Sequence, residues 1–173
     1  AKGDGITDDT EAFQTALNKL KLINNTVNRL GLTNVEVENF DASILDENSI
    51  NKFDYVLADV PCSGLGIIRR KPEIKYKSKA EIKDLPVLQR KILENASKYV
   101  KVGGNLLYST CTILDSENIE VINNFLKEND NFELVPIDEV NVDLDNQEKG
   151  YLKIYPNIHG MDGFFIAKLK RVR

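Results

Sequence analysis

The chain's two cysteines occupy similar surroundings. Cys62 lies in Asp59-Val60-Pro61-Cys62-Ser63-Gly64-Leu65-Gly66, and Cys111 lies in Ser109-Thr110-Cys111-Thr112. Each follows a short apolar run, Tyr55-Val56-Leu57-Ala58 in one case and a segment over 105–109 in the other. A thiolate is a strong nucleophile, and local donors or positive charge lower the pKa of a thiol that serves as one. A lone Pro-Cys pair reads as a tight turn around a small buried cysteine. The same arrangement at the ends of two successive strands points to a site instead. Consecutive strands often lie side by side, and that would bring both thiols and Asp59 to one crevice.

The elements that must position these residues follow from the apolar spacing. Thr7-Asp8-Asp9-Thr10-Glu11 reads as a helix start, with Asp8 as cap and Glu11 three residues later. Phe13, Ala16, Leu17, Leu20, Ile23, Val27 and Leu30 then recur at helical spacing up to Gly31, which predicts one amphipathic helix over about 9–30. Alternation over 35–40 predicts a strand ending at Asp41, and 55–58 a buried strand ending at Asp59. Val87, Leu88, Ile92, Leu93, Ala96 and Val100 mark a helix beginning near Pro86. Gly103-Gly104 turns the chain into a strand over 105–109. Ser116 and Glu117 open a further helix carrying Ile119, Ile122, Phe125 and Leu126, and strands are expected over 132–135 and 163–169. Helix and strand alternate, so the expected class is α/β: a mostly parallel sheet with helices on both faces. Pairing of 151–155 with the last strand would add an antiparallel C-terminal edge. Residues at the carboxyl ends of such strands line the ligand crevice of open α/β sheets.

Composition narrows the class further. With 173 residues, 42% hydrophobic and 29% charged, the chain is an ordinary globular one, read here as a single domain over 1–173. No apolar run approaches the roughly 18 residues of a membrane span, and no signal peptide is read at the start. Two cysteines without repeated spacing suggest neither a disulfide framework nor a metal site, and a reducing, cytoplasmic setting is expected. The net charge of −4 argues against nucleic-acid binding over the whole surface. Positive charge is nevertheless concentrated in Arg69, Arg70, Lys71, Lys75, Lys77, Lys79 and Lys83. That stretch reads either as a solvated loop or as a patch facing nucleic acid.

The motifs resemble those of a known family. Asp59 to Gly66 and Ser109 to Thr112 resemble motifs IV and VI of the RNA (cytosine-5) methyltransferases, of the RsmB/Sun (Fmu) 16S ribosomal RNA type. Further matches are Asn28-Arg29-Leu30-Gly31-Leu32, Asp41-Ala42, Arg69-Arg70-Lys71-Pro72-Glu73-Ile74-Lys75 and His159-Gly160-Met161-Asp162-Gly163-Phe164-Phe165. The resemblance spans about 21–173. It implies a partial Rossmann-like fold that uses S-adenosylmethionine. By the same resemblance Cys111 adds to cytosine C6, Asp59 hydrogen-bonds the base near N3, and Cys62 assists loss of the C5 proton or release of the product. Asp41, Asp59 and Pro61 face the cofactor, and Arg69, Arg70 and Lys71 face RNA phosphate. His159 is expected to pack or to face RNA rather than act as a base.

Two features depart from the family pattern. No Gly-rich cofactor loop precedes residue 31, so this chain alone is expected to bind S-adenosylmethionine weakly or not at all. Residues 1–17 resemble instead the opening of pectin-lyase-type β-helix proteins, which predicts a truncated or chimeric start with a foreign-looking segment over 1–20. The expected function is that of a methyltransferase fragment acting on 16S ribosomal RNA. An inactive fragment or scaffold is the alternative, with transfer RNA as a less favoured substrate. A polysaccharide-active β-helix is disfavoured, because long helical patterns occupy the chain where short strand repeats would be needed.

Overall fold

A computed structural model describes residues 10–138 and 144–173. The expected cap Asp8, and with it most of the pectin-lyase-like opening, lies outside the described residues. The chain forms two compact units, residues 1–41 and 42–173. In the first, helix α1 (Thr10–Arg29) runs unbroken through residue 20, and Gly31 takes the left-handed conformation expected of it (φ 66°). The segment over 35–40 is not a strand, and Val35 and Phe40 are exposed. Alternation suits a pleated surface, but a strand also needs a neighbour to hydrogen-bond. Asp41 therefore ends a non-strand segment.

The second unit holds strand β1 (Phe53–Asp59), the short helix α2 (Lys79–Ile82), helix α3 (Leu85–Tyr99) and strand β2 (Val100–Thr110). Helix α4 (Ile119–Glu128), strands β3 (Phe132–Leu134) and β4 (Tyr151–Ile154), the short helix α5 (Pro156–His159) and strand β5 (Phe164–Arg171) complete it. The sheet order is β1-β2-β5-β3, with β4 also paired to β5. β1 and β2 are parallel, joined through α3, and β5 runs antiparallel to β2, β3 and β4. This is the expected α/β class, and the expected C-terminal edge forms with Tyr151 opposite Ala167 and Ile154 opposite Phe164.

Gly103 and Gly104 do not precede β2, as expected from the sequence, but bulge within it. Phe53 faces Val100 while Tyr55 faces Asn105, so residues 101–104 are looped out of register. From there the register is unbroken to Asp59 opposite Ser109. One face of the sheet packs on α3 and α4. Its core contains Leu93, Val100, Leu106, Tyr108, Ile122, Phe125, Phe165, Ala167 and Leu169, all with no exposed surface. Phe125 meets Phe132 edge-on at 5.5 Å between ring centroids, a favoured aromatic geometry. A smaller cluster of Ile137, Leu144 and Leu152, with Ile154 and Ile166, packs separately.

Candidate active site

Because β1 and β2 are parallel neighbours in register, the loops that follow them leave the sheet at the same edge. Two backbone bonds tie the loops together, from Val60 N–H to the Ser109 carbonyl (3.1 Å) and from Gly66 N–H to the Cys111 carbonyl (3.0 Å). Cys62 lies between those ties. Its sulfur stands 3.2 Å from that of Cys111, and both thiols are half-buried and free. The sequence expectation that both reach one crevice is met. Asp59 stands at the same edge, where its carboxylate accepts from the Ser109 hydroxyl at 2.8 Å.

The two sulfurs are not equivalent. Burial pushes the Cys62 thiol up from its ordinary 9.0 to about 12, and the hydrogen bond to Cys111 and the charge of that residue add to the rise. Cys62 thus keeps its proton and can donate it toward Cys111.

Side chains that sequence reasoning passed over hold the two loops. Ser63 N–H donates to Glu117 Oε2 (2.8 Å), while Gln89 Nε2 donates both to the Pro61 carbonyl and to Glu117 Oε2 (2.9 Å each). The Ser63 and Thr112 hydroxyls are 2.6 Å apart. Asn118 accepts from the Thr110 hydroxyl (2.6 Å) and donates to the Thr112 carbonyl (3.1 Å). The sequence marks Glu117 as a helix-opening acid. It stands instead in the single turn Asp115–Glu117 ahead of α4, fully buried. One signal for Gln89 was available, since it is a polar residue at the helical spacing of Ile92, Leu93 and Ala96.

The basic stretch is brought to a different segment. Arg70 pairs with Asp162, and Arg69 donates to the Gly160 carbonyl at 3.4 Å. Gly163 N–H donates to the Gly66 carbonyl at 2.8 Å, so the His159 to Phe165 motif packs on the loop after β1. Lys71 is exposed, and Lys77 reaches back to donate to the Ser63 carbonyl at 2.9 Å. His159 Nδ1 accepts from Tyr155 N–H at 2.9 Å and the two rings stack, a packing role. Asp41 is the last residue of the first unit. Among the described residues no group of three or more His, Cys, Asp or Glu could hold a metal, and no helix is long and apolar enough to cross a membrane.

The family described as "16S rRNA methyltransferase RsmB/F" matches residues 7–170, starting ahead of residue 21, where the motif resemblance begins. The chain is 41% identical over 162 residues to the "Probable ribosomal RNA small subunit methyltransferase B" of Bacillus subtilis (strain 168), covering 88% of this chain and 35% of that protein. It is 33% identical over 166 residues to the ribosomal RNA small subunit methyltransferase F of Salmonella agona (strain SL483), covering 93% and 34%. It therefore spans about a third of the length of these curated relatives. The crystal structure of NSun6 from Pyrococcus horikoshii with SFG superposes with a TM-score of 0.77 at 30% identity, covering 90% of this chain and 39% of that one. With nearly its whole length matched, the chain belongs to the RsmB/F family of 16S rRNA methyltransferases.

Proposed function

We propose that this chain is the base-handling part of an RNA cytosine-C5 methyltransferase acting on 16S ribosomal RNA. The observation that carries the reading is the 3.2 Å contact between two unlike thiols at one sheet edge. Cytosine C5 is a poor nucleophile, so the ring is first activated by a sulfur bond to C6. Cys111 supplies that sulfur: its loop resembles the family motif that carries the nucleophile, and the adjacent Cys62 keeps its own proton. Asp59, exposed at the end of β1, hydrogen-bonds the base near N3 and meets the charge that develops in the ring. S-adenosylmethionine, when bound, supplies the methyl group that C5 accepts.

The pair then changes roles. Once Cys111 is bonded to carbon, the hydrogen bond and the charge that helped hold the Cys62 proton are gone, and only burial still raises it. Cys62 can then release its own proton to solvent more readily, and the thiolate left behind takes the C5 proton as it leaves. Loss of that proton returns an electron pair to the ring, and the sulfur–C6 bond breaks to release Cys111 and the methylated base.

For the cofactor, this chain's residues suit one side only. Asp59 and Pro61 lie at the crevice edge and Asp41 lies on the first unit, but the Pro61 carbonyl is already engaged by Gln89. These are acceptors. Backbone donors that could cradle the anionic end of the cofactor would come from a Gly-rich turn, and this sequence has none. Calorimetry on the chain alone is expected to show no micromolar binding of S-adenosylmethionine. The SFG-bound NSun6 structure supports use of this cofactor within the family. For RNA, Arg69, Arg70 and Lys71 serve as phosphate contacts, with Arg70 also tied to Asp162.

The test is incubation with excess S-adenosylmethionine and RNA carrying 5-fluorocytosine, whose fluorine cannot leave as a proton. A covalent adduct is expected, and Cys111→Ala should abolish it. Folded protein that forms no adduct, or an adduct that survives Cys111→Ala, would count against the proposal.

A further inference from the structure

We infer that the dipeptide Glu117-Asn118 is the positioning element that sets Cys62 against Cys111. The inference rests on reading the two thiols as the working pair, and it concerns how their separation is fixed.

The hydrogen bonds divide between the two residues. Glu117 takes the loop of Cys62: its Oε2 accepts the Ser63 amide and the Gln89 side chain, and Gln89 in turn holds the Pro61 carbonyl. The peptide groups on either side of Cys62 are thereby both tied to one buried carboxylate. Asn118 takes the loop of Cys111: it accepts from the Thr110 hydroxyl and donates to the Thr112 carbonyl, bracketing Cys111 in the same manner. One peptide bond joins the two holders. A third contact, from the Tyr108 hydroxyl to the Glu117 carbonyl at 2.6 Å, pins that backbone to β2 itself.

A plain structural role does not account for this arrangement. Gln89, Thr110 and Glu117 are fully buried and Asn118 is 2% exposed. Among the described residues, Glu117 Oε1 and Gln89 Oε1 have no hydrogen-bond partner, and no cation pairs with Glu117. A buried carboxylate left partly unsatisfied is costly. If the side chain only started α4, it would aim at that helix's own amides. It aims across to the other loop, 54 residues away in the chain. Fixed geometry at the sulfurs is what this placement provides, because a catalytic pair must be held by side chains that are themselves held.

The experiment reads the thiols directly and needs no methyl transfer, so its failure is distinct from failure of the methyltransferase reading. Wild type, Glu117→Ala, Glu117→Gln, Asn118→Ala and Gln89→Ala are treated with a short bifunctional thiol reagent, and Cys62 alkylation is followed against pH by peptide mapping. In Glu117→Ala and Asn118→Ala the yield of the Cys62–Cys111 cross-link should drop. Cys62 in Glu117→Ala should alkylate roughly tenfold faster near pH 8, the scale of one lost hydrogen bond to a charged group. Its pH profile should move toward that of an ordinary thiol. Glu117→Gln keeps an acceptor oxygen for Ser63 N–H and should restore the cross-link. Folded Glu117→Ala and Asn118→Ala with wild-type cross-linking and a wild-type pH profile would overturn the inference. Should either alanine variant fail to fold, Gln89→Ala decides: a lower cross-link yield supports the inference and an unchanged yield overturns it.

Discussion

Adding a single methyl group at Gly66 should disable the site from a distance. A Cβ there would stand 2.1 Å from the Gly163 carbonyl oxygen and 2.8 Å from that of Cys111, both backbone atoms. Neither can swing aside as a side chain would, so the loops must separate. Two hydrogen bonds are at stake, Gly66 N–H to the Cys111 carbonyl and Gly163 N–H to the Gly66 carbonyl. Losing them costs about 1 kcal/mol each, and the forced shift adds about 1–3 kcal/mol. Gly66→Ala should therefore lose about 3–5 kcal/mol in urea unfolding. Gly103→Ala is the internal control: nothing lies within 4 Å of its Cβ, and its positive φ of 84° is the only obstacle. That substitution should cost about 1–2 kcal/mol, the usual left-handed penalty. Equal losses at the two glycines, or a Gly66→Ala loss below about 1 kcal/mol, would refute the claim that backbone contact at Gly66 locks the two thiol loops together.

Other outcomes can be read from the same structure. Cys111→Ala removes two of the three influences that raise the Cys62 thiol and leaves burial, so Cys62 should alkylate faster at pH 8–9 while staying slower than a free thiol; an unchanged rate would deny the coupling. Burial and its neighbours Glu117 and Cys62 hold the Tyr108 phenol protonated far above its ordinary 10.0, and Cys62 is likewise raised. A raised folded value means stabilisation that is complete below the unfolded value and lost as pH climbs through the folded one. Thermal melts should therefore fall from about pH 9 upward, and Cys62→Ala should flatten that slope. Replacing Lys71 with Ala should weaken RNA binding and lower the slope of log affinity against log salt by about 0.7 if it contacts a single-stranded phosphate. Phe125→Ala, which empties a fully buried site facing Phe132, should cost about 3–5 kcal/mol in denaturant unfolding.

The regular elements were legible wherever local pattern and tertiary need coincide. The period of α1, Pro86 in the first turn of α3 and the apolar stripe of α4 all mark elements that are present. Residues 35–40 alternate cleanly and β1 is only a short apolar run, yet β1 finds a neighbour to pair with and 35–40 is not a strand, because pairing is not written into the pattern of one segment. The thiol pair was legible because two similar loops end two adjacent strands. The side chains that hold those loops were not. Glu117 and Gln89 lie 28 residues apart, and Glu117 and Ser63 lie 54 apart. Each reads as ordinary in its own surroundings, a first-turn acid and a helical glutamine. Arg70 shows the converse: its charge was plain, but its partner Asp162 could only come from the fold.

The claim that Cys111 attacks the base while Cys62 serves its release meets its most direct test in one variant. Cys62→Ala is incubated with excess S-adenosylmethionine and RNA containing ordinary cytosine, then digested, and the RNA-linked peptide is sequenced by mass spectrometry. The expected result is an accumulating adduct on Cys111 that wild type does not accumulate, because the proton at C5 lacks its acceptor. Turnover without any trapped adduct, or a nucleotide bonded elsewhere than Cys111, would contradict it.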